Sequence, residues 1–102
     1  MSAAKPITKK KKPATRSTSF DPDAAKAFGK ATRKLREDAG FTQNTFSVAA
    51  DIDRSYYGKL ERGEFQPTLG VILRIAHTLK LSAWEVVQAA EAVLHAPAEV
   101  EN

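Results

Sequence analysis

Residues Arg54, Ser55, Gly58, Lys59 and Arg62 fall within nine positions of one another. On a helix turning about 100° per residue, they occupy one arc of about 140°. That face carries three cations, a hydroxyl and a glycine, and no acid. Arginine and lysine can donate to guanine O6 and N7, and serine can reach either base type or a phosphate. Gly58 lies near the middle of the arc. It costs a helix about 1 kcal/mol against alanine, but it lets a backbone come close to a surface. The plainer reading is a solvated basic face with a tolerated glycine. The pattern around the helix decides between them.

Leu60 and Tyr57 lie opposite the basic arc, toward a core, with Tyr56 on one flank and Glu61 on the other. Asp53 is an N-cap type before this helix, and Gly63 suits its exit. Upstream, Thr42 caps an earlier short helix whose apolar positions are Phe46, Ala50 and Ile52. Ser47 is small where two steeply packed helices would come closest. Thr42 to Gly63 therefore reads as a helix-turn-helix, whose second helix lies in the DNA major groove.

Three more helices are expected to hold that unit. The first starts near Ser19 or Asp21, with Pro22 in its first turn and Ala24, Ala27, Phe28, Ala31 and Leu35 as its apolar stripe. Ala39 and Gly40 close it. Thr68 caps a fourth helix carrying Leu69, Ile72, Leu73, Ile75, Ala76 and Leu79. Its apolar residues cover much of its circumference, which predicts a central position. Ser82 and Glu85 form a capping box for a fifth helix from Ala83 to about His95. Its stripe of Trp84, Val86, Val87, Ala90, Val93 and Leu94 is longer than one small domain needs. A homodimer through Trp84, Val87, Val93 or Leu94 is expected; the competing reading is that Trp84 and Val87 complete the core, which suits Trp84 better than it suits Val93 and Leu94.

The 102 residues carry a net charge of +4, unevenly placed. Residues 1–20 hold Lys5, Lys9, Lys10, Lys11, Lys12 and Arg16 and no acid; residues 81–102 hold Glu85, Glu91, Glu99 and Glu101 and no lysine or arginine. Residues 1–18 lack an apolar period and contain two prolines, so they are expected to be a disordered basic arm. A solubilising tail or a nuclear address has the same composition. Beside a DNA-reading motif, a phosphate-binding arm through Lys9, Lys10, Lys11 and Lys12 is the better reading. The expected organisation is an arm over 1–18, a domain over 19–96 and a frayed end over 97–102. No cysteine is present, so there is no disulfide or thiolate metal site. No apolar run reaches the roughly 18 residues of a membrane span, and the charged N-terminus does not read as a secretory signal.

Enzyme signatures are weak. His77 and His95 lie on separate helices with no cysteine between them. Asp51 and Asp53 hint at a calcium loop, but Tyr56 stands where that loop needs glycine. Gly29-Lys30-Ala31 lacks the rest of a phosphate loop, and Ser47 has no base partner in sequence. No catalytic residue, metal or cofactor is expected.

From about Phe28 to Val87 the chain resembles the Cro/CI-type, or XRE, helix-turn-helix family of phage repressors, restriction-modification controllers and antitoxins. The stretches that carry the resemblance are FGKATRKLREDAGFTQ and RSYYGKLERGEFQPTLGVILRIAHTLKLS. It implies an all-α, five-helix, lambda-repressor-like bundle and a DNA-binding transcriptional regulator, as repressor or autoregulator. It implies that Gln43 bonds a phosphate, that Arg54, Ser55 and Lys59 read bases, and that Tyr56 and Arg62 face phosphates. It also implies a buried ion pair between Arg36 and Glu61. The implied partners are a palindromic double-stranded operator and a second copy of the chain, in a bacterial cytoplasm at the nucleoid. No membrane or small-molecule ligand is implied. The other function class on this fold is an antitoxin or protein-interaction module. The chain departs from the family pattern at Asp51, where the turn usually has glycine, at Thr32 and Tyr57, where it has aliphatics, and at Phe46, where leucine or isoleucine is commoner.

Overall fold

The computed structural model describes residues 19–97; the basic arm expected over 1–18 and the last five residues, 98–102, lie outside the described residues. Five helices follow in order: α1 Pro22–Asp38, α2 Gln43–Ala50, α3 Arg54–Glu61, α4 Leu69–Leu79 and α5 Ala83–Leu94. Each begins at a short polar residue. Asp21 accepts from the Asp23 and Ala24 amides, Thr42 from Thr45, Asp53 from Tyr56, and Thr68 from Val71. These side chains satisfy amide protons that the helix cannot pair itself. At α5 the Glu85 carboxylate takes the Ser82 amide and hydroxyl, which holds that carboxyl below the usual range.

α1 packs on two neighbours, α3 and α5. That explains why it buries more than the expected stripe. Ala27, Phe28 and Ala31 are buried as expected, and Ala24 and Leu35 are half-buried. A second row, Ala25, Gly29, Thr32 and Arg36, is buried too. Its members are spaced three or four apart, so they share one side of the helix. Three of the four are small, and a hydrophobicity pattern passes over them.

Phe46 fills the centre. It is fully buried, with Phe41 edge-on at 5.1 Å and Tyr57 at 5.2 Å. Tyr57 is itself fully buried, and Leu60, Ile75 and Val86 complete the cluster. Burying such a side chain stabilises by about 1.5–3 kcal/mol. Phe46 and Tyr57 come from α2 and α3, so this contact is one that holds the two helices against each other.

Two expectations are corrected. α4 is not central: only Ile75 and Ala76 are buried, while Leu69 and Leu73 are 68% and 51% exposed. Val71, Ile72 and Leu79 are half-buried against the core, so the helix meets it along one side and leaves Leu69 and Leu73 outward. Trp84 does not complete the core and is 65% exposed. It stands two residues before Val86, the fully buried residue of α5, and two positions turn a helix by about 200°. Trp84 therefore points outward beside Val87 and Leu94.

Candidate nucleic-acid interface

The turn between α2 and α3 sets where α3 points. Asp51 ends α2 at φ 57° and ψ 50°, a left-handed conformation. Aspartate adopts it more readily than most residues do. Arg74 of α4 donates to the Asp51 carbonyl at 2.8 Å, so the strained residue is held from outside the unit. The chain re-enters helix at Asp53, whose carboxylate accepts from the Tyr56 amide at 2.9 Å.

α3 is pressed against α1 at Gly29. A Cβ there would stand 2.4 Å from the Glu61 carbonyl and 2.6 Å from that of Leu60. Only glycine permits this approach. The exit of α3 is equally tight: Gly63, at φ 77°, would place a Cβ 2.9 Å from the Lys26 backbone.

Beneath α3 lies a polar cluster around one carboxylate. Arg36 donates from Nε to Glu61 Oε2 at 2.6 Å and from Nη2 to Oε1 at 3.0 Å. Its Nη1 donates to the Phe41 carbonyl at 2.8 Å. The Tyr57 hydroxyl donates to Oε2, and the Gln43 side-chain amide to Oε1 at 2.8 Å. Burial pushes the Glu61 carboxyl upward, but hydrogen bonds from Arg36, Tyr57 and Gln43 outweigh it and hold the group below its ordinary range. Glu61 is thus a charged, fully engaged structural group, and its side chain is 2% exposed.

The surface above is a shallow concavity lined by Gln43, Asn44, Arg54, Ser55, Gly58 and Arg62. No acid lines it. Arg54 Nη1 donates to Asn44 Oδ1 at 3.2 Å, which ties the first residue of α3 to α2. Arg62 pairs with Glu64 at 2.7 Å on the rim, and both are exposed. Such a pair contributes little to stability and can exchange for another anion. A Cβ on Gly58 would meet the ends of Arg62 and Gln43, at 3.3 and 3.6 Å. Five of the sequence-selected residues therefore meet at one place: Gln43, Arg54, Ser55, Gly58 and Arg62.

Lys59 is set apart from them. Its ammonium lies 5.5 Å from the centre of the Phe65 ring, a cation–π distance. Phe65 stacks on Tyr56 at 5.5 Å. Lys59 and Tyr56 thus form an aromatic-backed edge beside the concavity. Sequence reading missed Asn44, Phe65 and Arg74. Asn44 is one position after Gln43 on the first turn of α2, a signal that could have been used. Phe65 and Arg74 act across loops, where spacing says nothing.

Two short helices at a fixed turn, the second offering an acid-free polar face, define a helix-turn-helix DNA-binding protein. The chain belongs to the Helix-turn-helix family, whose pattern it matches over residues 33–83. It is similar to the uncharacterized HTH-type transcriptional regulator YazB of Bacillus subtilis, 36% identical over 62 residues that cover 61% of this chain and 90% of that protein. Among solved structures it is similar to the restriction-modification controller protein C.AhdI from Aeromonas hydrophila, with 35% identity and a TM-score of 0.59, covering 61% of this chain and 94% of that one. It is also similar to the clp gene regulator ClgR from Corynebacterium glutamicum, with 26% identity and a TM-score of 0.67, covering 76% of this chain and 99% of that one. DNA-binding regulation of transcription is the function these likenesses support.

Proposed function

We propose that this chain is a sequence-specific regulator that reads a palindromic operator with α3 and works as a homodimer. The observation that carries the first half is the acid-free concavity spanning α2 and α3. Arg54 and Ser55 from its lining, and Lys59 from beside it, would contact base edges. Gln43, Arg62 and Tyr56 would contact phosphates and set register. In the arm, Lys9, Lys10, Lys11 and Lys12 would add contacts that carry no sequence information. The reading is of a binding protein rather than an enzyme, acting in the cytoplasm. Among the described residues no helix is long and apolar enough to cross a membrane.

The homodimer rests on α5. Val87 and Leu94 are each 42% exposed and line an apolar groove with Ala24, Phe28, Ile72 and Ala90. Trp84 extends that exposed side, whereas Val93 is half-buried on the side of Val86. A single α3 reads few base pairs, and two-fold pairing would put two of them about 34 Å apart. Selection of bound duplexes from a random pool tests the proposal. An enriched inverted repeat, with half-sites one turn apart, is the expected result. A pool without enrichment would refute sequence-specific reading. Sedimentation as a monomer on and off the selected duplex would refute the dimer, and co-purification of a different chain would favour the antitoxin reading instead.

A further inference from the structure

Arg54 is the first residue of α3, a place that does not favour a cation. The N-terminal end of a helix carries partial positive charge, which repels a guanidinium. No acid lines the concavity around it, and Arg62 adds a second cation. Asp53 is next in sequence, but its carboxylate is turned to the Tyr56 amide at 2.9 Å. Arg54 finds its acceptor across the turn instead. Its Nη1 donates at 3.2 Å to Asn44 Oδ1, on the first turn of α2. Among the described residues this is the one hydrogen bond that the guanidinium makes. The backbone of Asn44 is itself anchored, because the buried Ser47 hydroxyl donates to its carbonyl at 3.0 Å. Its side chain is exposed, so the core does not depend on it.

We infer that Asn44 is a positioning residue for base reading, holding the Arg54 guanidinium in the orientation that selects guanine. The inference rests on the proposed reading of Arg54 as a base contact. The chemistry of the two groups supports it. A guanidinium only donates, so it takes the amide oxygen and turns the Asn44 Nδ2 protons away from itself. It carries five N–H groups, and one is spent on Asn44. The second Nη1 proton and the two on Nη2 remain, enough for a bidentate bond to guanine O6 and N7. Adenine offers an acceptor and a donor at the same place, so the fork does not fit it. An arginine left free has many rotamers, and ordering them on binding costs free energy. Asn44 removes part of that cost before DNA arrives. A neutral amide also suits the task better than a carboxylate would. It leaves the charge of Arg54 whole and sets no anion against the phosphates.

The test is a double-mutant cycle in the full-length chain, read as the ratio of affinity for the selected duplex to affinity for random DNA. Parent, Asn44→Ala, Arg54→Ala and the double variant are compared, with melting temperatures as a check on the fold. Asn44→Ala is expected to lower the ratio about three- to tenfold at an unchanged melting temperature, and to lower it no further once Arg54 is alanine. Asn44→Asp keeps an acceptor in the same place. It is expected to retain the ratio while weakening both duplexes alike, since its charge repels phosphates. Selection repeated with Arg54→Ala identifies the base pair concerned, and a guanine is expected there. An equal loss from Asn44→Ala with and without Arg54 would overturn the inference, because Asn44 would then meet DNA by itself. An unchanged ratio for Asn44→Ala, where Arg54→Ala does lower it, would overturn the positioning role and leave base reading by Arg54 intact. An unchanged ratio for Arg54→Ala would end both.

Discussion

The Gln43 side-chain amide donates to Glu61 Oε1 at 2.8 Å, so a buried ion pair is joined to the α2–α3 surface by a single hydrogen bond. Arg36 and Tyr57 hold the same carboxylate from below. The carboxylate therefore locks α1, α2 and α3 together at their shared edge, and it also orients a residue of the candidate interface. Glu61→Ala would leave the Arg36 guanidinium buried without its main partner. The expected loss is about 3–5 kcal/mol of stability, read by urea denaturation. Gln43→Ala removes only the outermost bond and should cost under about 1.5 kcal/mol. Equal losses for the two variants would show that the ion pair is not the keystone of this edge.

The same cluster sets a pH dependence. Burial, the hydrogen bond to Glu61 and the negative charge of Glu61 raise the Tyr57 phenol well above its ordinary value of about 10. The unfolded chain thus releases this proton first. The contribution of Tyr57 is complete below about pH 10 and is lost as pH climbs toward the folded value. Glu61 works in the opposite sense. Its folded value is depressed, so its contribution is present above about pH 4.3 and is lost as pH falls through the folded value. Unfolding free energies measured from pH 8 to 11 should fall beyond pH 10, and Tyr57→Phe should remove much of that fall. A parallel decline in the variant would assign it to other groups.

Thr32 is fully buried on α1, and among the described residues its hydroxyl has no hydrogen-bond partner. An unpaired buried hydroxyl costs about 1–3 kcal/mol. Thr32→Val keeps the shape and removes the polar atom. A gain of about 1 kcal/mol is expected, measured as a raised denaturation midpoint with an unchanged slope. A loss would mean that the hydroxyl is satisfied in solution.

Lys80 ends α4 at φ 62°, left-handed, with the Leu81 amide bonded to the Ala76 carbonyl at 2.9 Å. That arrangement favours glycine, because a Cβ crowds the carbonyl that follows. Lys80→Gly should stabilise by about 1 kcal/mol, the relief exceeding the extra entropy of glycine in the unfolded chain. Asp51→Gly should gain less, since aspartate tolerates the conformation better and the bond from Arg74 goes to the backbone in either case. The ranking is read from thermal melts, and a larger gain at Asp51 would contradict it.

The helix starts were legible because each rests on local chemistry: Thr42, Asp53, Thr68 and Ser82 were read from sequence, and Asp21 was one of the two starts, with Ser19, left open for α1. The basic arc of α3 was legible for the same reason, since one helix wheel contains it. What sequence could not give depends on a neighbour. Gly29 looked like a failed phosphate loop, and it is the residue that lets α3 lie against α1. Trp84 looked like core because it is large and apolar, yet α5 turns it away from Val86. α4 looked central because apolar content does not say which sides meet a partner. Lys59 fell within the arc by angle, and only Phe65, six residues on, draws it to the edge. Gln66, whose side chain bonds the Asp21 amide and the Ser19 carbonyl, gave no signal at all, because both partners are backbone atoms 45 and 47 positions away.

Base reading and phosphate contact should separate cleanly on this rigid face. Arg54 opens α3 and is steadied by Asn44, so its guanidinium has a defined place on the candidate face, as a base-reading side chain would need. Arg62 follows the last helical turn and carries Glu64 as an exchangeable partner, as a phosphate-binding cation would. Arg54→Ala should therefore cost about 1–3 kcal/mol on the selected duplex and much less on random DNA. Lys59→Ala should follow Arg54→Ala, with a smaller cost where the ammonium stays over Phe65. Arg62→Ala should weaken both duplexes alike and reduce the salt slope by about one contact. Competition binding at two salt concentrations measures all three variants against the parent. If Arg62→Ala lowers the ratio of selected to random affinity as far as Arg54→Ala does, the roles assigned along α3 are wrong, even though the face would still bind DNA.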